Sequence, residues 1–307
     1  SVPHHFFRKE AQKCGQILPA EGDYGVAMLF FPQDDKGVED ARRVFEEGCA
    51  EAGVPLLFWR EVPVDPHDLG ETARACMPTI LQAFLGRPDD TPAGDAFERR
   101  LYVCRRTIEK KADAEFALRD KIFYVCSMSS RTIVYKGMLV ATQMRRFFID
   151  LNDAAVKTAV ALVHSRYSTN TTPSWERAHP NRFIIHNGEI NTLKGNVNWI
   201  RAREPNLYSP VLQHDLERVM PIINREGSDS AILDNVLEFL VMNGRPLTRA
   251  ASMLLPEPWD HNDSLSEERR AYDAYQSMLM EPWDGPAAIA FTDGRTLGAA
   301  LDRNGLR

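Results

Sequence analysis

Three short groups in this 307-residue chain have residue types and spacings that could do chemistry. Arg166 stands where an apolar run, Ala159 to Val163, gives way to His164-Ser165-Arg166-Tyr167-Ser168-Thr169. A guanidinium at a strand end can take a carboxylate through two parallel N–H donors. Asn187-Gly188 follows a second apolar run, Arg182 to His186, and a side-chain amide beside a backbone N–H is suited to holding an oxyanion. Gly227-Ser228-Asp229-Ser230 precedes the most regular helical pattern in the chain, and a carboxylate there can receive an ammonium group. Together these would recognise a zwitterionic amino acid and a reacting carbonyl. Each group also has an ordinary structural reading: an ion pair for Arg166, a tight turn for Asn187-Gly188, a helix N-cap for Ser228 or Asp229.

A nucleophile is the missing part. Cys14-Gly15 closes a predicted helix and reads as an inert cysteine. Ser1 could use its own amine as base. Its setting, Ser1-Val2-Pro3 ahead of HHFFRKEAQKC, predicts a helix cap rather than the head of a strand.

The elements that must position these groups follow from the hydrophobic pattern. Strands are predicted at Tyr24 to Phe31 and Val54 to Val62, with helices at Lys36 to Gly53 and Glu71 to Phe84. Arg99 to Ile108 is apolar and basic at once and fits strand or helix. Ile122 to Met128 and Thr132 to Gly137 read as a hairpin across Ser129-Ser130-Arg131, and Thr142 to Asp150 as a short helix or turn. Two strands, Ala159 to Val163 and Arg182 to His186, bracket a polar loop holding Pro173 and Pro180. Helices are then predicted at Asn196 to Arg203, Ser230 to Gly244, Leu247 to Leu255 and Ser266 to Met280. The last elements, Ala287 to Thr292 and Thr296 to Leu301, form a hairpin about Asp293-Gly294 with a type I′ signal. Hairpins with flanking helices predict an α+β fold, stacked antiparallel sheets in a single domain spanning 1–307.

Bulk properties narrow the class. The apolar share of 44% supports a proper core, and a net charge of -6 argues against nucleic acid or an anionic membrane as partner. No apolar run reaches the length of a membrane span, and no signal-peptide pattern opens the chain. Five scattered cysteines without a CxxC pair argue against structural zinc, an iron–sulfur cluster or a disulfide framework. A reduced, cytoplasmic protein is expected, with no metal site.

With these readings in place, the wording of the chain resembles the class II, N-terminal-nucleophile glutamine amidotransferases, and within them the glutaminase domains of glutamate synthase large subunits. The resemblance rests on His164 to Thr171, His186 to Thr192, Gly227 to Ser230, Phe123 to Ser127, Arg131 to Leu139, Met280 to Pro286 and Leu301 to Arg307. It implies a four-layer αββα sandwich, incomplete at both ends. It also implies roles: Arg166 for the α-carboxylate of L-glutamine, Asp229 for its α-amino group, Asn187 and Gly188 for the oxyanion, Thr169 as a pocket-lining residue. The family's nucleophile is an N-terminal cysteine heading a strand, with a His-Arg-Gly element after it. This chain has neither, so a fragment lacking the nucleophile, and inactive alone, is expected. The resemblance further implies ammonia delivery to 2-oxoglutarate to make L-glutamate. Its implied cofactors, FMN and an iron–sulfur cluster, belong to other domains, and its implied partners are the rest of the large subunit and a small NAD(P)H-oxidising subunit. Another class II amidotransferase, or a non-catalytic amino-acid-binding or interaction module, stays open as the alternative.

Overall fold

The computed structural model describes residues 1–165, 167, 172–224, 226–260 and 263–301. It forms two compact units, Ser1–Ala161 with Ser165–Pro180, and Leu162–His164 with Asn181–Arg307.

The first unit is built on β1 (Tyr24–Phe31), β2 (Leu56–Glu61), β3 (Thr79–Gly86) and β4 (Tyr124–Ser129), antiparallel in the order β2-β3-β1-β4. Its helices are α1 (His4–Lys13), α2 (Asp35–Glu51), α3 (Glu71–Ala75), α4 (Asp95–Ala114) and α5 (Met144–Phe147). Both faces of the sheet are covered. Ala27, Leu29 and Phe31 of β1 pack with Ala41, Phe45 and Cys49 of α2 and Leu101, Cys104 and Ile108 of α4. On the other face Met28 and Phe30 meet Phe147, Phe148 and Trp175, while Tyr24 and Val26 meet Phe6, Phe7 and Ala11 of α1. A strand covered on both faces has no polar side to show, which is why β1 reads YGVAMLFF without alternation.

Buried charge ties this unit together. Arg60 donates to both oxygens of Asp150 at 2.7 and 2.8 Å, to Gln82 at 2.9 Å and to Glu10 at 3.0 Å. Glu98 of α4 accepts from Ser129 Oγ at 2.7 Å and from the Ser130 N–H at 2.6 Å, closing the end of β4.

Several expectations need correcting here. The helix expected over Glu71 to Phe84 stops at Ala75, and Thr79 onward is strand β3. Pro78 disfavours helical geometry at Met77 and supplies no N–H, so the apolar run after it extends instead. The ambiguous stretch is part of α4, where Phe97, Leu101, Cys104 and Ile108 recur at helical spacing and are all buried. The expected second hairpin strand over Thr132 to Gly137 is not a strand. There the Val134 N–H bonds the Ser127 hydroxyl instead of a ladder carbonyl. Ser1 does not cap α1: Pro3 stands at the N-cap, and the Ser1 hydroxyl pairs with Thr158 Oγ1 at 2.9 Å.

The second unit holds α6 (Leu193–Arg203), α7 (Leu216–Val219), α8 (Asp229–Met242), α9 (Leu247–Leu254) and α10 (Glu267–Leu279). Its strands are β5 (Ile184–Gly188), β6 (Ala287–Thr292) and β7 (Leu297–Leu301), antiparallel in the order β5-β6-β7. Helix α8 is buried on nearly every side, its buried residues including Asp234 and Glu238. The hairpin β6–β7 forms as expected, but not with a type I′ turn. Residues 293–296 make a longer loop in which Gly294 has positive φ and Asp293 does not, and Asp293 Oδ1 accepts from the N–H groups of Arg295 and Thr296. The strand expected over Ala159 to Val163 joins no ladder. Helices and antiparallel sheets in both units make the chain α+β. No helix among the described residues is long and apolar enough to cross a membrane.

Candidate functional site

The site is organised by which way each residue of β5 points. The Thr292 N–H donates to the Phe183 carbonyl at 2.9 Å, and the Glu189 N–H to the Pro286 carbonyl at 3.3 Å. These bonds extend the β5–β6 register at both ends, Ile185 facing Ala290 and Asn187 facing Ala288 between them. In an antiparallel ladder the hydrogen-bonding direction alternates. The odd-numbered residues therefore turn their backbone groups to β6, and the even-numbered ones turn theirs to the outer edge.

Three of the even positions are held by side chains. The Ile184 N–H donates to Asp234 Oδ1 at 3.0 Å. The His186 carbonyl lies 3.0 Å from Nε2 of His164. The Ile190 N–H donates to Asp229 Oδ2 at 2.8 Å. Gly188 is the fourth. Its N–H shares a planar trans peptide with the Asn187 carbonyl and is directed to the same outer edge, away from β6. The Asn187 side chain stands off the sheet and is exposed.

Gly188 and Gly285 are required by close approach. A Cβ on Gly188 would lie 1.8 Å from the Pro286 carbonyl oxygen, and Gly188 has φ +137°; a Cβ on Gly285 would lie 1.9 Å from the Glu189 carbonyl oxygen. The segment 281–286 is stitched to the residues after β5. The Asn191 N–H donates to the Asp284 carbonyl at 2.8 Å, and Asn196 Nδ2 donates to Thr192 Oγ1 at 2.8 Å and the Pro282 carbonyl at 3.3 Å. Arg203 grips Glu281 through both guanidinium nitrogens, and Trp283 is buried with its N–H on the Leu254 carbonyl at 2.8 Å.

Ser228 is the N-cap of α8, its Oγ accepting from the Ala231 N–H, so Asp229 is the first residue of the helix rather than its cap. The Asp229 carboxylate accepts one N–H at each oxygen, Ile190 at Oδ2 and Ser230 at Oδ1, which leaves a lone pair on each oxygen for a ligand. The His164 and His186 rings stack with centroids 5.6 Å apart. A carbonyl only accepts, so the His164 Nε2 must carry a proton. Burial, then the neighbouring His186, lower the His164 pKa from its ordinary value. Burial also lowers that of His186, against an opposing pull from Asp229.

The structure thus places the Gly188 N–H and Asp229 on the outer edge of β5 and its continuation, with the Asn187 side chain standing off the sheet next to them in sequence. Asn187-Gly188 ends a strand and is not a tight turn. Arg166 and Thr169 lie outside the described residues. Sequence reasoning missed Asp234, His164, His186 and Gly285 as members of the site. Asp234 had a signal: it shares a helix face with Leu237 and Val241, where a carboxylate needs a specific reason to be.

A family of known proteins matches this sequence from end to end. The sequence profile described as "Glutamine amidotransferases class-II" covers residues 1–307. The chain is 49% identical over 306 residues to the glutamate synthase [NADPH] large chain of Bacillus subtilis (strain 168), and covers 20% of that protein. It is 44% identical over 315 residues to the glutamate synthase [NADH] of Schizosaccharomyces pombe, covering 14% of it. It is 42% identical over 310 residues to the chloroplastic ferredoxin-dependent glutamate synthase of Oryza sativa subsp. japonica, covering 19% of it. In each case all of this chain is matched, and it spans a fifth or less of the relative's length. A profile match over the whole length of the chain means that it belongs to the class II glutamine amidotransferases.

Proposed function

We propose that this chain is the glutamine-handling part of a glutamate synthase, acting as one glutaminase domain across 1–307. Arg166 takes the α-carboxylate of L-glutamine and Asp229 its α-ammonium, while Thr169 lines the pocket. Asn187 Nδ2 and the Gly188 N–H stabilise the oxyanion that forms when the side-chain carboxamide is attacked. The observation that carries this reading is the shared outer edge of β5, on which the Gly188 N–H and Asp229 both lie. An oxyanion gains most from donors that are fixed before it forms, and a strand held on both sides supplies them.

These residues bind and polarise; the attacking thiol of the family is not among them. Cys14 and Cys76 follow the last turns of α1 and α3, Cys49 and Cys104 lie inside helices, and Cys126 is in β4; none heads a strand. The released ammonia would pass to 2-oxoglutarate within the longer protein. FMN and an iron–sulfur cluster would be held elsewhere in it, since a cluster needs several converging thiolates and these cysteines are spread over five elements. A small NAD(P)H-oxidising subunit and a cytoplasmic setting complete the proposal.

Titration calorimetry of the chain with L-glutamine tests the reading. Binding to the wild-type chain, lost in Arg166→Ala, with no glutamate released, is the expected result. A wild-type chain that does not bind glutamine overturns it.

A further inference from the structure

We propose that Asp234 is a positioning residue for the oxyanion-binding end of β5. This rests on the assignment of Asn187 and Gly188 made above.

Asp234 is fully buried in the middle of α8. Its two oxygens gather three consecutive backbone donors where the chain enters β5: Arg182 N–H to Oδ2 at 2.7 Å, and Phe183 and Ile184 N–H to Oδ1 at 2.8 and 3.0 Å. Three converging N–H groups match the acceptor capacity of a carboxylate and of no other side chain. A buried carboxylate is costly to keep and needs a compensating bond network.

What that network holds is a strand with a ladder on one side only among the described residues, where β5 is an edge of its sheet. Without a neighbour, the direction of its even-numbered N–H groups depends on the outer contacts. Asp234 fixes the first of them, Ile184, and Asp229 fixes the last, Ile190; Gly188 lies between. Both carboxylates stand on α8, so strand and helix are registered to each other at two points. The donor that would meet the oxyanion is therefore aimed by a residue that touches neither substrate nor oxyanion. A displacement of about 1 Å in such a donor can cost on the order of a hundredfold in rate.

The test compares two probes on the same chain. L-Glutamine presents a planar carboxamide; L-methionine sulfone presents tetrahedral oxygens in the region where the oxyanion would form. Asp234→Asn keeps the size but turns one acceptor into a donor that opposes an N–H. Calorimetry of Asp234→Asn should show methionine sulfone weakened about tenfold or more relative to wild type, with glutamine within about twofold. A merely structural role would weaken both probes equally by lowering the folded fraction, and that result, or no change in either, overturns the proposal. The amide 15N–1H shifts of the unliganded variant give a second reading. The Gly188 resonance should move along with those of Phe183 and Ile184; changes confined to Phe183 and Ile184 also overturn it. If the wild-type chain binds neither probe, the glutamine assignment fails, and the Gly188 shift still decides whether Asp234 controls that donor.

Discussion

Nε2 of His164 stands 3.0 Å from the carbonyl oxygen of His186, so a side chain occupies the place a neighbouring strand would take beside β5. The bond needs a proton on Nε2, which the neutral ring can supply, while the second proton, and the positive charge it brings, is opposed by burial and by His186. The folded-state pKa of His164 is lowered, so its stabilising contribution is fully present above the ordinary histidine value. It is lost as pH falls below that value. His186, lowered as well, adds in the same direction. Urea unfolding of the wild-type chain at pH 7.5 and 5.5 should show lower stability at the acid pH. His164→Gln retains an N–H donor for the His186 carbonyl and cannot titrate, so its decline should be shallower. An equal decline in both would detach the effect from His164.

Asp234 titrates with the opposite sign. Burial, reinforced by Glu238, pushes its carboxyl up to about 6, against the pull of the N–H groups of Arg182 and Phe183. Raised above its unfolded value of 3.8, this group contributes stability below that pH and loses it as pH rises through about 6, by up to about 3 kcal/mol. Asp234→Asn should remove this component. The difference in unfolding free energy between variant and wild type, followed from pH 4 to 7, should change in favour of the variant. A flat difference would mean the carboxylate stays ionised throughout.

Gly188→Ala is expected to be among the most damaging single substitutions in the second unit. Its methyl group would run into the Pro286–Ala287 peptide, the Pro286 carbonyl oxygen at 1.8 Å and Ala287 Cα at 2.6 Å, and neither is a flexible side-chain end. With the unfavourable φ included, a loss of about 3 kcal/mol or more should appear in urea unfolding. Ala at exposed Gly195, where nothing lies within 4 Å, is the control and should be neutral or slightly stabilising in the helix α6.

Much of this was legible in the sequence where one physical cause dominated. Tyr24 to Phe31 is a strand because a doubly covered strand is apolar throughout, and Asp229 to Met242 is a helix because its apolar positions recur at helical spacing. Local pattern failed where punctuation or tertiary partners decided. Pro78 divided one apolar stretch into α3 and β3, and the stretch Ala159 to Val163 found no ladder because residue 164 meets β5 through its ring. Asn187 and Gly188 were visible as donors, but their direction was not. The alternation along β5 depends on register with β6, more than a hundred residues away. Asp234 illustrates the same limit: its helix position was readable, while the three N–H groups it serves were not.

The buried ion cluster in the first unit should behave unlike a surface salt bridge. Arg60 is held by Asp150 through two bonds and by Glu10 through one. Asp150→Ala strands a buried guanidinium with Glu10 as its remaining carboxylate, at a cost of about 3–5 kcal/mol. Glu10→Gln leaves the bidentate pair intact and should cost about 1 kcal/mol or less. The double variant Arg60→Met with Asp150→Leu should be less destabilised than the sum of the two single changes. Urea unfolding of the five variants, the two single changes included, distinguishes these values, and additivity would show that the pair is not coupled.

Thiol chemistry offers a test of the packing. Cys14 and Cys76 are exposed, whereas Cys49, Cys104 and Cys126 are buried. Cys49 and Cys104 place their sulfurs 3.8 Å apart between α2 and α4, and this contact, with burial, raises the Cys104 thiol pKa. A protonated, covered thiol is a poor nucleophile. Titration with an aromatic disulfide reagent should therefore modify Cys14 and Cys76 quickly in the folded chain, and the other three only in denaturant. Fast reaction at Cys104 would contradict the close contact of α2 with α4.

The last prediction separates the two tasks given to Asp229, holding the Ile190 N–H and receiving the ammonium group of glutamine. Asp229→Asn keeps an oxygen for the Ile190 N–H while removing the charge and the acceptor of the Ser230 N–H, so melting should fall less than in Asp229→Ala. Its affinity for glutamine should fall about tenfold, or about 1.4 kcal/mol, the scale of a charge-assisted contact. Asp229→Ala loses both tasks and should reduce melting temperature and affinity together. Glutaramic acid, which is glutamine without its α-amino group, completes the comparison. Wild type should bind it about tenfold more weakly than glutamine, while Asp229→Asn should bind the two nearly alike, because the variant has no charge for the missing ammonium to meet. If Asp229→Asn still prefers glutamine by the full wild-type margin, the ammonium is held elsewhere and Asp229 serves only to fix the end of β5.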